Sequence, residues 1–504
     1  MTPRWPPLTP PGPIRDSLEV SRSNPRYFAS ASADGLGERV VYLTGSHVNN
    51  NFHDGLRIGA AHDAEEFDFD AYLRFLRERG HNFIRLWRWE QFKGYLAPAN
   101  VHLDMTPQPW LRSGPGLAAD GKPRFDLEVF DAAYFERLRQ RVSAACAEGI
   151  YVSVMLFEGF SLHLTAAPWH VEGHPFHARN NVNGIGIRSV DDCQVLPLDA
   201  RIRAVQEAYI ERVIDTVHDL PNVLYEVSNE SPGGGAVDRR FADQLKLDDM
   251  TVWGDSTAWQ YWVIDYVKAY EAHRAYQPHP VGMTMQYPVR DPRQVNAPLF
   301  ASAADWISPG FDDADVTTTG GPHGGRWLTD PPANNGAKVI LSDTDHYSPF
   351  SSSALWAWKS FLRGHQPLLY DLALVGGVAP PVPPPGVPAF QALEPARLAM
   401  GDTRRLAERV PLARMTPRGD LTTTGYALVS PGECYVVLQP TDGGDGFEVT
   451  VTAGTYEVEW FGIAGRDTLQ GERVVLATEQ ALTFEPPRLA AGLCALLLRS
   501  VGRR

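Results

Sequence analysis

The sequence predicts an α/β protein, a (β/α)8 TIM barrel followed by a small antiparallel β-sandwich. Eight apolar, strand-like runs alternate with segments of helical periodicity, and they lie near residues 40, 83, 151, 223, 281, 306, 339 and 368. Such alternation predicts a parallel sheet, and eight units predict that the sheet closes into a barrel. From about residue 420 the pattern changes to short strands separated by turns, which is typical of a sandwich.

The predicted domains are an extended lead over 1–27, a barrel over 28–405 and a sandwich over 410–504. A stiff proline-rich connector at 378–388 precedes the sandwich. A doubly wound open sheet is the alternative for the first domain. Against it, no Gly-x-Gly-x-x-Gly follows the first strand, and the sequence contains no phosphate-binding loop.

The composition is that of a soluble globular protein. Of its 504 residues 43% are hydrophobic and 21% are charged, and the formal net charge of −14 argues against nucleic acid or an anionic membrane as partner. We find no run of about 18 apolar residues and no signal-peptide core, so a cytoplasmic protein is expected, although a trimmed secreted chain would look the same. The four cysteines lie far apart, without zinc-like or redox spacing. The oligomeric state is left open.

Polar and acidic residues gather where the predicted strands end. The run Val223–Val227 leads into Asn229 and Glu230, and the run from Ile150 ends in Glu158. The strand near 339 leads into a segment whose polar members are Asp343, Asp345 and His346. The carboxyl ends of barrel strands form the active face, and paired carboxyl groups there suit acid–base work on a glycosidic bond.

Two more strand ends contribute candidate pocket residues. The segment 45–54 holds two His, three Asn and one Asp, a mix that favours a pocket wall over a surface turn. Arg85, Trp87, Trp89 and Glu90 cluster at the end of the second strand. Residues 92–124 are rich in proline and glycine, and we expect them to form a long loop able to cover a cleft.

Three of these segments resemble one clan of enzymes. Leu-Thr-Gly-Ser-His at 43–47, Asn-Phe-Ile-Arg-Leu-Trp at 82–87 and Tyr-Glu-Val-Ser-Asn-Glu at 225–230 resemble the barrels of apiosidase-like and related glycoside hydrolases, which carry an Asn-Glu pair on the fourth strand. In this sequence Asn229 and Glu230 fall on the fourth predicted strand. Tyr-Glu-Val-Glu-Trp-Phe at 456–461 resembles the small carboxy-terminal β domain, often labelled collagen-binding, that follows such barrels.

The resemblance implies a two-carboxylate glycosidase in which Glu230 is the general acid/base. The clan has a nucleophilic Glu at the end of the seventh strand, where this sequence has Asp343 and Asp345. We expect one of these two to face the pocket while the other serves structure. We predict retention of anomeric configuration with Asp345 as nucleophile; the alternative is attack by water with Asp343 as base, which inverts.

The substrate is predicted to be a carbohydrate, bound without a cofactor. The expected contacts are Asn229 to a sugar hydroxyl, Arg85 as an orienting charge, Trp87 and Trp89 as stacking platforms, His47, Gln286 and His346 as hydroxyl contacts, and Glu158 as a reserve acid. No bound metal is expected, because His47, His53, Asp54 and His346 lack chelating spacing. The alternative function is a non-catalytic carbohydrate-binding barrel. A peptidase or esterase is disfavoured because no Gly-x-Ser-x-Gly occurs.

Overall fold

A computed structural model describes most of the chain. The described residues are 5, 12–31, 37–58, 66–96, 100–166, 169–237, 239, 242–243, 247, 251–312, 325–347, 352–374, 389–441, 445–487 and 492–501. The predicted proline-rich connector at 378–388 lies outside them. Within these ranges, no helix has both the length and the apolar character needed to cross a membrane.

Eight parallel strands form the barrel, as predicted. They are β1 (Gly45–His47), β2 (Phe83–Leu86), β3 (Tyr151–Glu158), β4 (Val223–Asn229), β5 (Val281–Thr284), β6 (Trp306–Ser308), β7 (Val339–Asp343) and β8 (Gln366–Tyr370). Each pairs with the next from β2 to β8, and β8 pairs with β1. At the remaining seam the backbone N–H of Asn82 donates to the carbonyl of Thr44 at 2.9 Å, which brings β2 against β1.

Helices cover the outside of the sheet. They are α1 (Phe69–Glu78), α2 (Ala132–Ala147), α3 (Phe160–Leu164), α4 (Trp169–Glu172), α5 (Asp191–Gln194), α6 (Ala200–Val217), α7 (Thr257–Arg274), α8 (Ala297–Ala301), α9 (Arg326–Thr329), α10 (Ala354–Leu362) and α11 (Glu394–Ala407). Asp68, Asp131 and Asp199 accept backbone N–H groups at the starts of α1, α2 and α6, which satisfies otherwise unpaired donors. Short 3₁₀ turns lie at Pro292–Gln294, Thr344–His346, Leu372–Leu374, Phe390–Leu393, Leu412–Arg414 and Gly419–Leu421.

The first barrel strand lies later in the chain than predicted. The apolar run near residue 40 forms Glu38–Val41, which pairs with Phe28–Ala31 in a three-stranded antiparallel sheet completed by Glu19–Val20. The barrel strand instead begins at Gly45. A Cβ at Gly45 would lie 1.9 Å from the carbonyl oxygen of Phe83, so only glycine lets β1 approach β2 this closely.

The region 92–124 is not the irregular loop expected from its proline and glycine content. Gly94–Leu96 and Asp54–Ile58 flank Val101–Thr106 in an antiparallel sheet. Trp110–Leu117 pairs with Pro123–Phe130, and in the latter strand Phe125 and Leu127 are buried at alternate positions. This alternation is the strand signal that the turn-forming residues obscured.

The carboxy-terminal domain is built from two antiparallel sheets, as predicted. Its strands are β9 (Thr416–Pro417), β10 (Ala427–Ser430), β11 (Cys434–Gln439), β12 (Phe447–Val451), β13 (Gly454–Gly462), β14 (Asp467–Gln470), β15 (Val474–Leu476), β16 (Gln480–Phe484) and β17 (Cys494–Ser500). The larger sheet has the order β9-β10-β11-β17-β13-β14, with β15 also on β13, and β12 pairs with β16.

The sandwich packs directly on the barrel through a shared apolar core. The ring of Phe461 stacks on Trp5 at 4.0 Å between ring centroids and lies 5.6 Å from that of Trp358 on α10. Two ion pairs flank this contact, Arg409 with Glu459 at 2.9 Å and Arg466 with Asp402 at 2.8 Å. The strand β11 is buried on both faces, one against the sandwich core and the other against the barrel helices.

We predict that removal of 410–504 yields an insoluble or strongly destabilised barrel. The deletion would expose the apolar surfaces of α10 and α11 that the domain covers, and large exposed apolar patches promote aggregation. The measurement is the soluble yield and urea unfolding of residues 1–405 beside the full chain. A soluble fragment with the unfolding midpoint of the intact barrel would contradict this prediction.

Candidate active site

One buried guanidinium lies at the centre of the carboxyl face of the barrel. Arg85, on β2, is fully buried and donates from Nε and Nη2 to both carboxylate oxygens of Glu226, at 2.9 and 2.6 Å. Its Nη1 contacts Oδ2 of Asp343 at 3.0 Å and Oδ2 of Asp345 at 3.1 Å. Nη2 also donates to Oδ1 of Asn229 at 2.7 Å. Arg85 therefore joins β2 to β4 and β7.

Asp343, the last residue of β7, uses both carboxylate oxygens within the protein. Its Oδ2 contacts Nε2 of His47 at 2.7 Å as well as Arg85, and its Oδ1 accepts the backbone N–H of Asp345 at 3.0 Å. Burial opposes ionisation of this carboxyl, but His47 and Arg85 outweigh it and hold the pKa of Asp343 below its usual range. Asp343 is therefore a fixed, ionised group.

Asp345 is the more available of the two acids. It lies in the 3₁₀ turn Thr344–His346, its side chain is 9% exposed against 0% for Asp343, and Oδ1 accepts no hydrogen bond from any described residue. Burial raises the pKa of Asp345 to about 6, with Arg85 opposing the change and Asp343 adding to it. We expected only one of the two acids to face the pocket, yet both contact Arg85. Asp345 lies in the turn beyond the end of β7, so the alternation of side chains along a strand does not direct it away from Asp343.

Glu230 follows β4 immediately and has an unusual backbone. Its φ of +47° lies in the left-handed region, which non-glycine residues seldom adopt and which often marks functional sites. No described residue hydrogen-bonds its carboxyl group. Burial raises the pKa of Glu230 well above its usual value, Asp345 and Glu158 raise it further, and Arg85 opposes them. These neighbours therefore favour the protonated form of Glu230.

Glu158 and His346 both lie beside Asn229. Glu158 ends β3 beside Asn229 and accepts the N–H of Ser161 at 3.0 Å, and burial raises its pKa to about 8. His346 contacts Ser308 through Nδ1 at 2.8 Å and Asn229 through Nε2 at 3.4 Å. Burial, with Arg85 and His47 adding to it and Asp343 opposing it, lowers the pKa of His346 to about 3, so the imidazole is neutral.

The structure separates the remaining predicted contacts into two groups. Trp87 belongs to the site: Arg85 lies 5.0 Å from its ring centroid, and its buried Nε1 has no hydrogen-bond partner among the described residues. Trp89 is 1% exposed, donates to the carbonyl of Asn49 and packs among apolar side chains, so no open ring face is available for stacking. Gln286 bonds Pro232 O at 3.2 Å and Ser256 Oγ at 3.0 Å, and so supports the loop after β4.

The sequence prediction missed two members of the site. Glu226 lies inside β4 and forms the bidentate pair with Arg85; its signal was an acid within an otherwise apolar strand. Tyr370 ends β8, and its ring stacks against those of His47 and Trp87, with centroids 5.3 and 5.6 Å away and planes inclined by 30° and 20°. Burial and then Asp345 and Glu230 raise the pKa of the Tyr370 hydroxyl, which indicates that it lies close to both acids.

The site offers no arrangement typical of a metal centre. Among the residues that the structure describes, no group of three or more His, Cys, Asp or Glu side chains is placed to hold an ion. The guanidinium of Arg85 occupies the position between Glu226, Asp343 and Asp345 where a cation would otherwise balance the charge.

Comparisons with known proteins identify the architecture. No protein-family model matches the sequence, and no curated protein matches it. Among solved structures, a glycoside hydrolase superposes with a TM-score of 0.57 at 13% identity, over 97% of this chain and 98% of its own. A family 5 glycoside hydrolase from Bacteroides vulgatus ATCC 8482 superposes with a TM-score of 0.55 at 10% identity, over 96% and 93%. At these identities the likeness establishes the two-domain fold, a barrel with a carboxy-terminal β domain.

We predict that Arg85→Met lowers the free energy of unfolding by about 3–5 kcal/mol near neutral pH, because it leaves buried carboxylates without their cation. Without Arg85 the pKa of Asp343 rises. The deficit should therefore be largest at neutral and alkaline pH and shrink as the carboxyl groups protonate towards about pH 5. Urea unfolding across this range measures it.

Arg139→Met is the matched control for Arg85→Met. Arg139 forms a bidentate pair with Asp219 at 2.7 and 2.8 Å, but both side chains are about half exposed. Exposed pairs contribute about 0–1 kcal/mol. Equal losses in the two variants would contradict the central role of Arg85.

Proposed function

We propose that the protein is a glycoside hydrolase that uses Glu230 as general acid/base and Asp345 as nucleophile. The observation that carries the proposal is an asymmetric carboxyl pair. Glu230 has no hydrogen-bond partner among the described residues and a strongly raised pKa, whereas Asp345 is kept closer to ionisation by Arg85. A glycosidase needs such a pair, with one acid protonated and the other ionised. Both compared structures are named glycoside hydrolases.

The proposed reaction proceeds in two displacements. Glu230 donates its proton to the glycosidic oxygen while Oδ1 of Asp345 attacks the anomeric carbon, so the bond to the leaving group breaks and an aspartyl ester forms. The Glu230 carboxylate then takes a proton from water, whose oxygen attacks the same carbon and releases Asp345. Two inversions give net retention, and both acids return to their starting protonation states.

Asp345 suits the nucleophile's role better than Asp343. Both oxygens of Asp343 already accept hydrogen bonds, which ties up the lone pairs that an attack would use. Asp345 lies in the turn beyond β7. This more advanced backbone position compensates for the side chain of Asp being one methylene shorter than that of Glu. Among charged groups, Asp345 is the largest contributor to the raised pKa of Glu230, in keeping with two closely spaced carboxyl groups.

Neighbouring groups are suited to holding a sugar. Oδ1 of Asn229 accepts from Arg85 at 2.7 Å, which fixes the orientation of the amide, and its NH2 group donates to no described residue and so suits donation to a hydroxyl. Nε1 of Trp87, which bonds no described residue, is a second donor, and the ring of Tyr370 adds an aromatic wall. A carbohydrate-binding barrel without turnover would use these same contacts, so turnover itself must be tested.

We expect Glu230→Gln to lower kcat by about 10²–10⁴-fold while sugar affinity persists. In the parent enzyme the acidic limb of kcat/KM should fall near pH 6 with protonation of Asp345, and the alkaline limb should report deprotonation of Glu230. The alkaline limb should vanish in Glu230→Gln. Aryl glycosides and polysaccharides are assayed across pH, with Glu128→Gln on an exposed strand position as control. Full turnover, or an unchanged alkaline limb, would remove Glu230 from this role.

We further predict retention of anomeric configuration, read by NMR from the first anomer released. Asp345→Gly should lose turnover, and added azide should restore it with an activated aryl glycoside, giving a glycosyl azide of inverted configuration because azide replaces the nucleophile. Asp343→Gly should show no azide rescue. Inverted sugar from the parent enzyme would favour attack by water with Asp343 as base.

A further inference from the structure

We propose a second carbohydrate-binding site on the outer wall of the barrel, between α6 and α7. Its platform is an aromatic row on α7 formed by Trp262, Tyr266 and Tyr270, and its polar edge is Glu211 and Asp215 on α6. The inference rests on the proposed function only for the kind of ligand, a polysaccharide; binding at this groove requires no hydrolysis.

The three aromatic side chains form a row along α7, in which the rings of Trp262 and Tyr266 are tilted by 47° to each other. Residues four apart on a helix lie one above the other, so the three rings share one face of α7 and span about 12 Å. All three side chains are only partly buried. The rings of Trp262 and Tyr266 are 5.7 Å apart between centroids. The row therefore presents aromatic surface to solvent over the length of a short oligosaccharide.

Carboxylates on the facing helix hold these rings in place. The hydroxyl of Tyr266 donates to Oε1 of Glu211 at 2.6 Å, and that of Tyr270 donates to Asp215 at 3.1 Å. Tyr276, just beyond α7, donates to the same Asp215 at 3.0 Å. Rings fixed before binding lose little conformational entropy when a ligand stacks on them.

A groove runs along this contact and is suited to hydroxyl groups. Its volume is about 440 Å³, and it is lined by Glu211, Tyr266, Ala269, Tyr270, His273 and Arg274. Oε2 of Glu211 accepts no hydrogen bond from any described residue, so it is available as an acceptor, while Arg274 and His273 supply donors. In the groove, tyrosine hydroxyls donate hydrogen bonds to carboxylates, and the hydroxyl of a sugar would donate to a carboxylate in the same way.

The groove is separate from the catalytic centre. The helix α7 starts from the loop after β4 and leads to β5, so it runs away from the carboxyl face of the barrel. Tyr270 and Tyr276 lie near its far end. A polysaccharide held in this groove leaves the catalytic face free, which raises the local concentration of chain ends or segments there.

The test is retardation in native gels cast with soluble β-glucan, xyloglucan, galactomannan or arabinan. We expect the full-length chain to be retarded in at least one of them, and Glu230→Gln equally so. The triple variant Trp262→Ala, Tyr266→Ala, Tyr270→Ala should weaken this retention about tenfold, yet keep kcat/KM on a small aryl glycoside. The matched control is Phe300→Ala, which removes an aromatic residue that is 38% exposed and lies outside the row.

Two further variants keep the test decisive if the triple variant fails to fold. Tyr270→Ala alone should weaken retention, and Tyr270→Phe, which keeps the ring, should retain most of it. Equal retention of Tyr270→Ala and the parent chain would overturn the site. Absence of retardation in every gel would also overturn the site. That result is expected if the aromatic row binds another protein instead of a polysaccharide. Loss of hydrolysis in Glu230→Gln leaves the gel result intact, so failure of the proposed activity is distinguishable.

Discussion

The active face of the barrel depends on the burial of one guanidinium among acids. Glu226 and Asp343 are fully buried, and a lone charge in the protein interior is very costly. Arg85 meets both and Asp345 as well, with bidentate geometry to Glu226. Its planar fork satisfies several acceptors at once, which a lysine could not do. The positions of β4 and β7 relative to β2 follow from these bonds.

The same guanidinium gives neighbouring carboxyl groups different properties. Asp343 receives both Arg85 and His47, and its pKa falls despite burial. Asp345 accepts a hydrogen bond from Arg85 but none from His47, and burial raises its pKa to about 6. Glu230 makes no hydrogen bond with a described residue and has acids as neighbours, so its pKa rises most strongly of the three relative to its reference. Arg85 contacts Asp343 and Asp345 at nearly the same distance, so the hydrogen bond from His47 distinguishes the fixed anion Asp343 from the candidate nucleophile Asp345, and Glu230 is the candidate proton donor.

Much of the fold could be predicted from local pattern, but only part of the site could. The strands near 83, 151, 223 and 339 were recognisable because runs buried on both faces are mostly apolar, and acids at their ends were therefore conspicuous. The position of β1 depends on the contact between Gly45 and Phe83, which no local pattern reveals. Glu226 was missed because it interrupts a strand instead of ending one. Tyr370 was missed because its role follows from stacking on His47 and Trp87, residues far away in sequence.

The backbone of Glu230 shows how the surrounding structure maintains this arrangement. A non-glycine residue in the left-handed region costs about 1–3 kcal/mol and persists only when its neighbours enforce it. Gly159 approaches so closely that a Cβ there would lie 2.5 Å from Cα of Ser231, and its N–H donates to the carbonyl of Asn229 at 2.8 Å. The hydroxyl of Ser231 is held by Gln194 at 2.8 Å and Ser228 at 2.7 Å. Buried contacts on both sides of Glu230 thus fix its backbone, while its carboxyl group makes no hydrogen bond to any residue that the structure describes.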